Sequence, residues 1–191
     1  MFQNNLLMAA ASISTDAAYT VDYSCRFDKS TPAYLSYTPG SAGDRRQITV
    51  SYWQKRCDIG GQQVAFQSGS VYWQFGNSSV EKFQINTDGS GEMLSPRLFR
   101  DPNAWYHFVI SFDTEQDVPS NRIRVWVNGI PITDWSTLTA PTKDTDLSIT
   151  NTVAQVWGVY GTSTYPMDGY LSQVCMIDGL ALTATSFGEF D

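Results

Sequence analysis

The chain has 191 residues, 42% hydrophobic and 14% aromatic, enough to bury one substantial core and too short to suggest several domains. Its net charge is −7 with only 12 Lys and Arg, and the densest basic cluster is Arg45-Arg46, which excludes a phosphate-tracking nucleic-acid surface. Cys25, Cys57 and Cys175 share no metal or disulfide spacing and read as free, buried thiols of a protein made in a reducing cytosol.

Residues 1–18 are small, apolar and unpatterned, and read as an N-terminal arm. Phe2, Leu6, Leu7 and Met8 give it an apolar stripe, expected to anchor the domain to another chain or to its own copies. No basic residue precedes the stripe and it is too short to cross a bilayer, so neither a signal peptide nor a membrane span is expected. The domain proper, residues 19–191, opens with strand-like Tyr19–Phe27 and Ala33–Tyr37, the latter closed by Pro39-Gly40. Gln47–Lys55 alternates with Ile48, Val50 and Tyr52 on one face, as a central strand should. Short strands follow at Val64–Gln67, Val71–Phe75 and Lys82–Asn86, cut by Gly-containing turns.

The clearest pattern lies between Trp105 and Gly129. Tyr106, Phe108, Ile110 and Phe112 recur at every second position, and Ile123, Val125 and Val127 do the same after a polar loop with Pro119. Two apolar faces of this kind, ending at Asn128-Gly129, predict neighbouring antiparallel strands over a shared core. Ala154–Tyr160 and Gly169–Ile177 supply the last predicted strands, and no run of helical period is present. About a dozen short strands in one domain call for two packed sheets, so the predicted fold is an all-β jelly-roll sandwich.

The order of motifs then becomes recognisable. Ser24-Cys25-Arg26-Phe27, Ala33-Tyr34-Leu35-Ser36, Ile48–Arg56, Trp105-Tyr106-His107-Phe108, Arg122–Gly129 and Asp168–Val174 resemble the concanavalin A-like, laminin G-type jelly-roll domains, from about residue 20 onward. More narrowly, Asn4–Ala11, the Thr38–Arg46 linker and the closing Ile177–Asp191 resemble such domains in tailed-bacteriophage virion proteins. The resemblance implies a structural protein of a capsid, tail or fibre, made in the bacterial cytoplasm and bound to other virion proteins. It implies a homo-oligomer, a trimer by family analogy, with a lectin-like sandwich that would bind a host or environmental glycan. No cofactor is required by it, although laminin G-type relatives sometimes hold calcium at a sandwich rim.

His107 is the only histidine, so a catalytic triad has no second histidine to draw on, and a strand histidine satisfied within the sheet is the default. Asp113, Glu115 and Asp117 alternate as the paired carboxylates of a polysaccharide-degrading glycoside hydrolase of concanavalin-like fold would. They run into Pro119 in a predicted loop, which cannot hold two carboxyls about 5 Å apart as rigidly as retaining hydrolysis requires, so a non-enzyme is expected and the hydrolase is the alternative. The same trio could form a calcium clip, against the default of a solvated loop. Sugar binding needs an aromatic face flanked by amides or carboxylates. The candidates are Trp135 with Asp134 in irregular sequence, Tyr165 (with Tyr160) in a Gly/Ser/Thr-rich loop, and Trp73 with Gln74 and Asn77.

Overall fold

The computed structural model describes residues 23–77, 80–88 and 91–188. Phe2, Leu6, Leu7 and Met8, with the rest of the arm, lie outside them. The described chain is all-β, with short 3-10 turns at Pro119–Asn121 and Ala184–Ser186, and no described helix is long and apolar enough to cross a membrane.

Two antiparallel sheets form the sandwich. The six-stranded sheet runs in the order β1 (Cys25–Phe27), β13 (Gly169–Asp178), β3 (Gln47–Arg56), β8 (Trp105–Asp113), β9 (Ile123–Val127), β10 (Ile130–Pro131). The seven-stranded sheet runs β11 (Thr137–Thr139), β7 (Gly91–Leu98), β6 (Val80–Thr87), β5 (Val71–Asn77), β4 (Gln63–Ser68), β12 (Gln155–Trp157), β2 (Leu35–Tyr37). The first strands therefore pair with the last, β1 with β13 and β2 with β12.

Alternation decides which side chains meet between the sheets. Ile48, Val50, Tyr52, Phe108, Ile110, Phe112, Ile123 and Val125 of the six-stranded sheet meet Phe66, Trp73, Phe75, Phe83, Ile85 and Met93 of the other, all essentially without solvent exposure. The β8–β9 pairing is the predicted one, with Phe108 opposite Val127 and Phe112 opposite Ile123. After it, Asn128 (φ 50°) and Gly129 (φ 76°) make the tight turn into β10 that needs two left-handed residues.

Two expectations are corrected, and one strand lies outside them. β12 stops at Trp157 rather than reaching Tyr160, because Gly158 takes φ 96° and a side chain there would sit 2.3 Å from the Phe27 ring. β7 was not legible, since Pro96 interrupts it; the ladder jumps from Gln84–Leu94 to Lys82–Leu98 around that proline. The three cysteines are exposed rather than buried.

The outer face of the six-stranded sheet is largely closed. Thr49, Ser51, His107, Val109 and Ser111 point outward yet are buried. The chain after β13 turns back onto this face, where Thr49 Oγ1 donates to Leu180 O (2.6 Å) and accepts from Leu182 N (2.8 Å). His107 is engaged there, its Nε2 2.8 Å from Ser51 Oγ and its ring stacked on Trp53 at 4.9 Å, and burial depresses its pKa so that the neutral ring is favoured.

Candidate functional site

The outer face of the seven-stranded sheet is different in kind. Because Trp73, Phe75, Phe83, Ile85 and Met93 point inward, Tyr72, Gln74, Gln84, Asn86 and Glu92 must point outward. Register aligns them: Gln67 pairs with Tyr72, Tyr72 with Asn86, and Asn86 with Glu92, while Gln74 pairs with Gln84. The second set is joined through its side chains. Gln62 Nε2 donates to Gln74 Oε1 (2.5 Å), Gln74 Nε2 to Gln84 Oε1 (2.7 Å), and Gln84 Nε2 to Glu92 Oε1 (2.7 Å). A ladder of amides thus crosses the middle of the sheet, and it ends on one carboxylate.

Aromatic rings flank this ladder. Tyr160 meets Tyr72 edge-on at 5.3 Å, and the loop after Tyr160 is pinned to the face by Gly161 N donating to Gln67 Oε1 (2.6 Å). The loop closes as a small hairpin between Tyr160 and Thr164 and lays Tyr165 beside β4, where Tyr165 O accepts from Val64 N (2.9 Å). Tyr165 holds φ 51° and leaves 44% of its surface exposed. Burial first, then the neighbouring Tyr160, Glu92 and Tyr165, raise the Tyr72 pKa, so its hydroxyl stays protonated and able to donate. Next to this face lies a shallow groove of about 390 Å³ between β2, β12 and β4, lined by Tyr34, Ser36, Gln67 and Val156. Rings that can cover the apolar side of a sugar, beside fixed amides, are the parts a saccharide site needs.

The predicted site residues are not brought together. Tyr165 stands on this face. Trp73 has no surface at all: it is fully buried and packed on Phe66 at 4.3 Å, so it can stack on no ligand, while its neighbour Gln74 takes the outward position. Trp135 is half-buried against the core and lines a separate cleft of about 260 Å³ with Ile123, Trp126, Ile132 and Leu138, at the far flank beside β11. Asp134 is exposed there, 3.9 Å from Arg97.

The acidic trio is dispersed as well. Strand alternation ends with β8 at Asp113, whose carboxylate accepts from Glu115 N (3.3 Å) and Gln116 Nε2 (2.6 Å) inside its own turn. Glu115 turns to Arg46 (3.8 Å), and Asp117 to Lys143 (2.6 Å), which holds its carboxyl below the usual range. Among the described residues no three His, Cys, Asp or Glu side chains converge as a metal site. The three carboxylates are thus directed to separate partners rather than to one point.

The laminin G-type profile described as "Concanavalin A-like lectin/glucanases superfamily" matches residues 29–186. The chain belongs to this superfamily. No curated protein sequence matches it. Solved structures share the superfamily's fold at low identity. A native heptameric SAP-like pentraxin from Limulus polyphemus is 16% identical, with TM-score 0.55, over 83% of this chain and 72% of that one. Domain 4 of AbnA, a GH43 extracellular arabinanase from Geobacillus stearothermophilus in complex with arabinotriose, is 12% identical, with TM-score 0.57, over 83% and 72%. The CBM40 of the Ruminococcus gnavus IT-sialidase, bound to α2,3 sialyllactose, is 16% identical, with TM-score 0.50, over 80% and 92%.

Sequence reasoning missed Tyr72, Gln84, Asn86 and Glu92 on the seven-stranded sheet. A signal was available, since Val71–Phe75 and Phe83–Asn86 put Tyr72, Gln74, Gln84 and Asn86 opposite their apolar residues. What joins them is pairing between strands, which alternation within each strand does not specify.

Proposed function

We propose that this chain is a carbohydrate-binding, lectin-like module whose ligand lies on the outer face of the seven-stranded sheet. The observation that carries the reading is the amide ladder from Gln62 to Glu92 with Tyr72, Tyr160 and Tyr165 beside it. Neighbours of the same fold bound to arabinotriose and to α2,3 sialyllactose support it. Binding is favoured over hydrolysis because the ladder contributes one carboxylate, whereas a glycosidase sets two about 5–9.5 Å apart across the bond it cleaves. Isothermal titration against an oligosaccharide panel tests the proposal. Tyr165→Ala is expected to lower glycan affinity roughly two- to tenfold with the melting temperature unchanged, since one ring contact is worth about 0.5–1.5 kcal/mol. Trp135→Ala, on the other flank, should leave affinity intact. The reverse pattern would move the site to the cleft beside β11, and absence of binding to the whole panel would overturn the proposal.

The finer setting is a bacteriophage particle, with the module attached through residues 1–18 and repeated in a homo-oligomer so that weak contacts add as avidity. It rests on the resemblance of the Asn4–Ala11, Thr38–Arg46 and Ile177–Asp191 motifs. Deleting residues 2–17 is expected to abolish incorporation into particles, read by immunoblot of purified virions, with thermal unfolding unchanged. Normal incorporation of the truncated chain would remove the arm from this role.

A further inference from the structure

The direction of the amide ladder is imposed from one end. A glutamine turned end for end exchanges its donor and acceptor, whereas a carboxylate can only accept. With Glu92 Oε1 2.7 Å away, Gln84 must present its NH₂ group to it, which leaves Gln84 Oε1 to receive Gln74 Nε2 and Gln74 Oε1 to receive Gln62 Nε2. Gln74 and Gln84 are 2% and 3% exposed, so neither turns to suit a ligand without breaking a buried bond. The half-buried ends of the ladder are Gln62, left with its amide oxygen and its second N–H, and Glu92, left with its second carboxylate oxygen. The Glu92 end, which can only accept, calls for a ligand that brings donors. Sugar hydroxyls bring them; carboxylates and sulfates do not.

Charge points the same way. The cations on the strands that carry the ladder are Lys82 and Arg97. Arg97 is committed to Pro131 O (3.1 Å) and to Asp134 (3.9 Å). Lys82 stands on the same face of β6, two residues (about 7 Å) from Gln84 and four (about 13 Å) from Asn86, the partner of Glu92. An anionic sugar placed between Tyr72 and Tyr165 would thus lie nearer to Glu92 than to Lys82.

We infer that Glu92 orients the whole ladder and makes this face select uncharged, hydroxyl-donating glycans over anionic ones, an inference that rests on the lectin reading above. The test titrates the 191-residue chain with neutral oligosaccharides (glucan, mannan, galactan and arabinan fragments) and with anionic ones (sialyllactose and oligouronates). Side-chain amide NMR signals of Gln74 and Gln84 are recorded in parallel. The wild type is expected to bind a neutral glycan roughly tenfold or more tightly than any anionic one, and to show one set of signals for each amide. Glu92→Gln is expected to split or broaden those signals, lower neutral-glycan affinity about tenfold and narrow the gap between classes. Anionic glycans binding the wild type as well as neutral ones, or Glu92→Gln leaving both spectra and affinities unchanged, would overturn the inference and leave the lectin reading standing. Absence of binding to either class would take down the lectin reading and this inference with it.

Discussion

Phe108→Ala is expected to lower the unfolding free energy by about 3–5 kcal/mol, the range for deleting a buried aromatic ring that leaves a cavity behind. The ring sits where the two sheets meet. It stacks on Tyr52 of β3 at 5.4 Å and on Phe83 of β6 at 4.9 Å, and meets Phe75 edge-on at 5.7 Å and Phe99 at 5.7 Å. Its neighbours are fixed in two opposed sheets and cannot all close into the space, so little of the loss is recovered by relaxation. Urea titration reads the effect as a lower midpoint with unchanged slope. A cost below about 1 kcal/mol would mean that the aromatic cluster does not hold the sheets together.

Arg56→Met is expected to raise the unfolding free energy, on the order of 1–3 kcal/mol. Arg56 follows Ile48, Val50, Tyr52 and Gln54 on the inward face of β3 and is fully buried. Its Nη1 donates to Phe99 O (2.7 Å) and the guanidinium lies 4.6 Å over the Phe75 ring, while Nε and Nη2 have no hydrogen-bond partner. Among the described residues no carboxylate forms an ion pair with it, and burial pulls its pKa down from the usual arginine value. Methionine keeps much of the stem volume, removes two unmet donors and a desolvated charge, and gives up one bond to a carbonyl and the contact with the ring. Arg56→Ala loses the packing too and is expected to destabilise. If Met destabilised as much as Ala, the guanidinium would have to be satisfied in solution.

The fold was legible wherever one strand's own alternation carried the information. Phe108, Ile110 and Phe112 against Ile123, Val125 and Val127 specified both strands and their pairing, and Ile48, Val50 and Tyr52 marked the centre of the six-stranded sheet. It failed where a single backbone conformation overrode the pattern, as at Gly158, or where a proline broke it, as at Pro96 in β7. The candidate site was harder to read because its parts are 12, 10 and 8 residues apart in sequence and adjacent only through register. The eye goes to Trp73 as a sugar platform, yet strand parity sends that ring to the core and gives the surface to Gln74. Tyr165 was singled out because loop composition marks it, whereas Tyr72, Gln84, Asn86 and Glu92 are brought together only through register.

The pairing of first strands with last has a consequence for how the chain is born. β1 joins β13 and β2 joins β12, and the ion pair from Arg26 to Asp168 spans 142 residues. At about 5–20 residues per second a ribosome needs roughly 10–40 s to deliver the whole chain, and through nearly all of that time neither sheet can complete its edge. Closing so long a loop also draws heavily on chain entropy before any contact repays it, so folding should be slow for a domain of this size and largely post-translational. During that interval β3, already able to pair with β8, still lacks β13 on its other side, and the nascent chain depends on dilution or a chaperone to keep that open edge from other copies of itself.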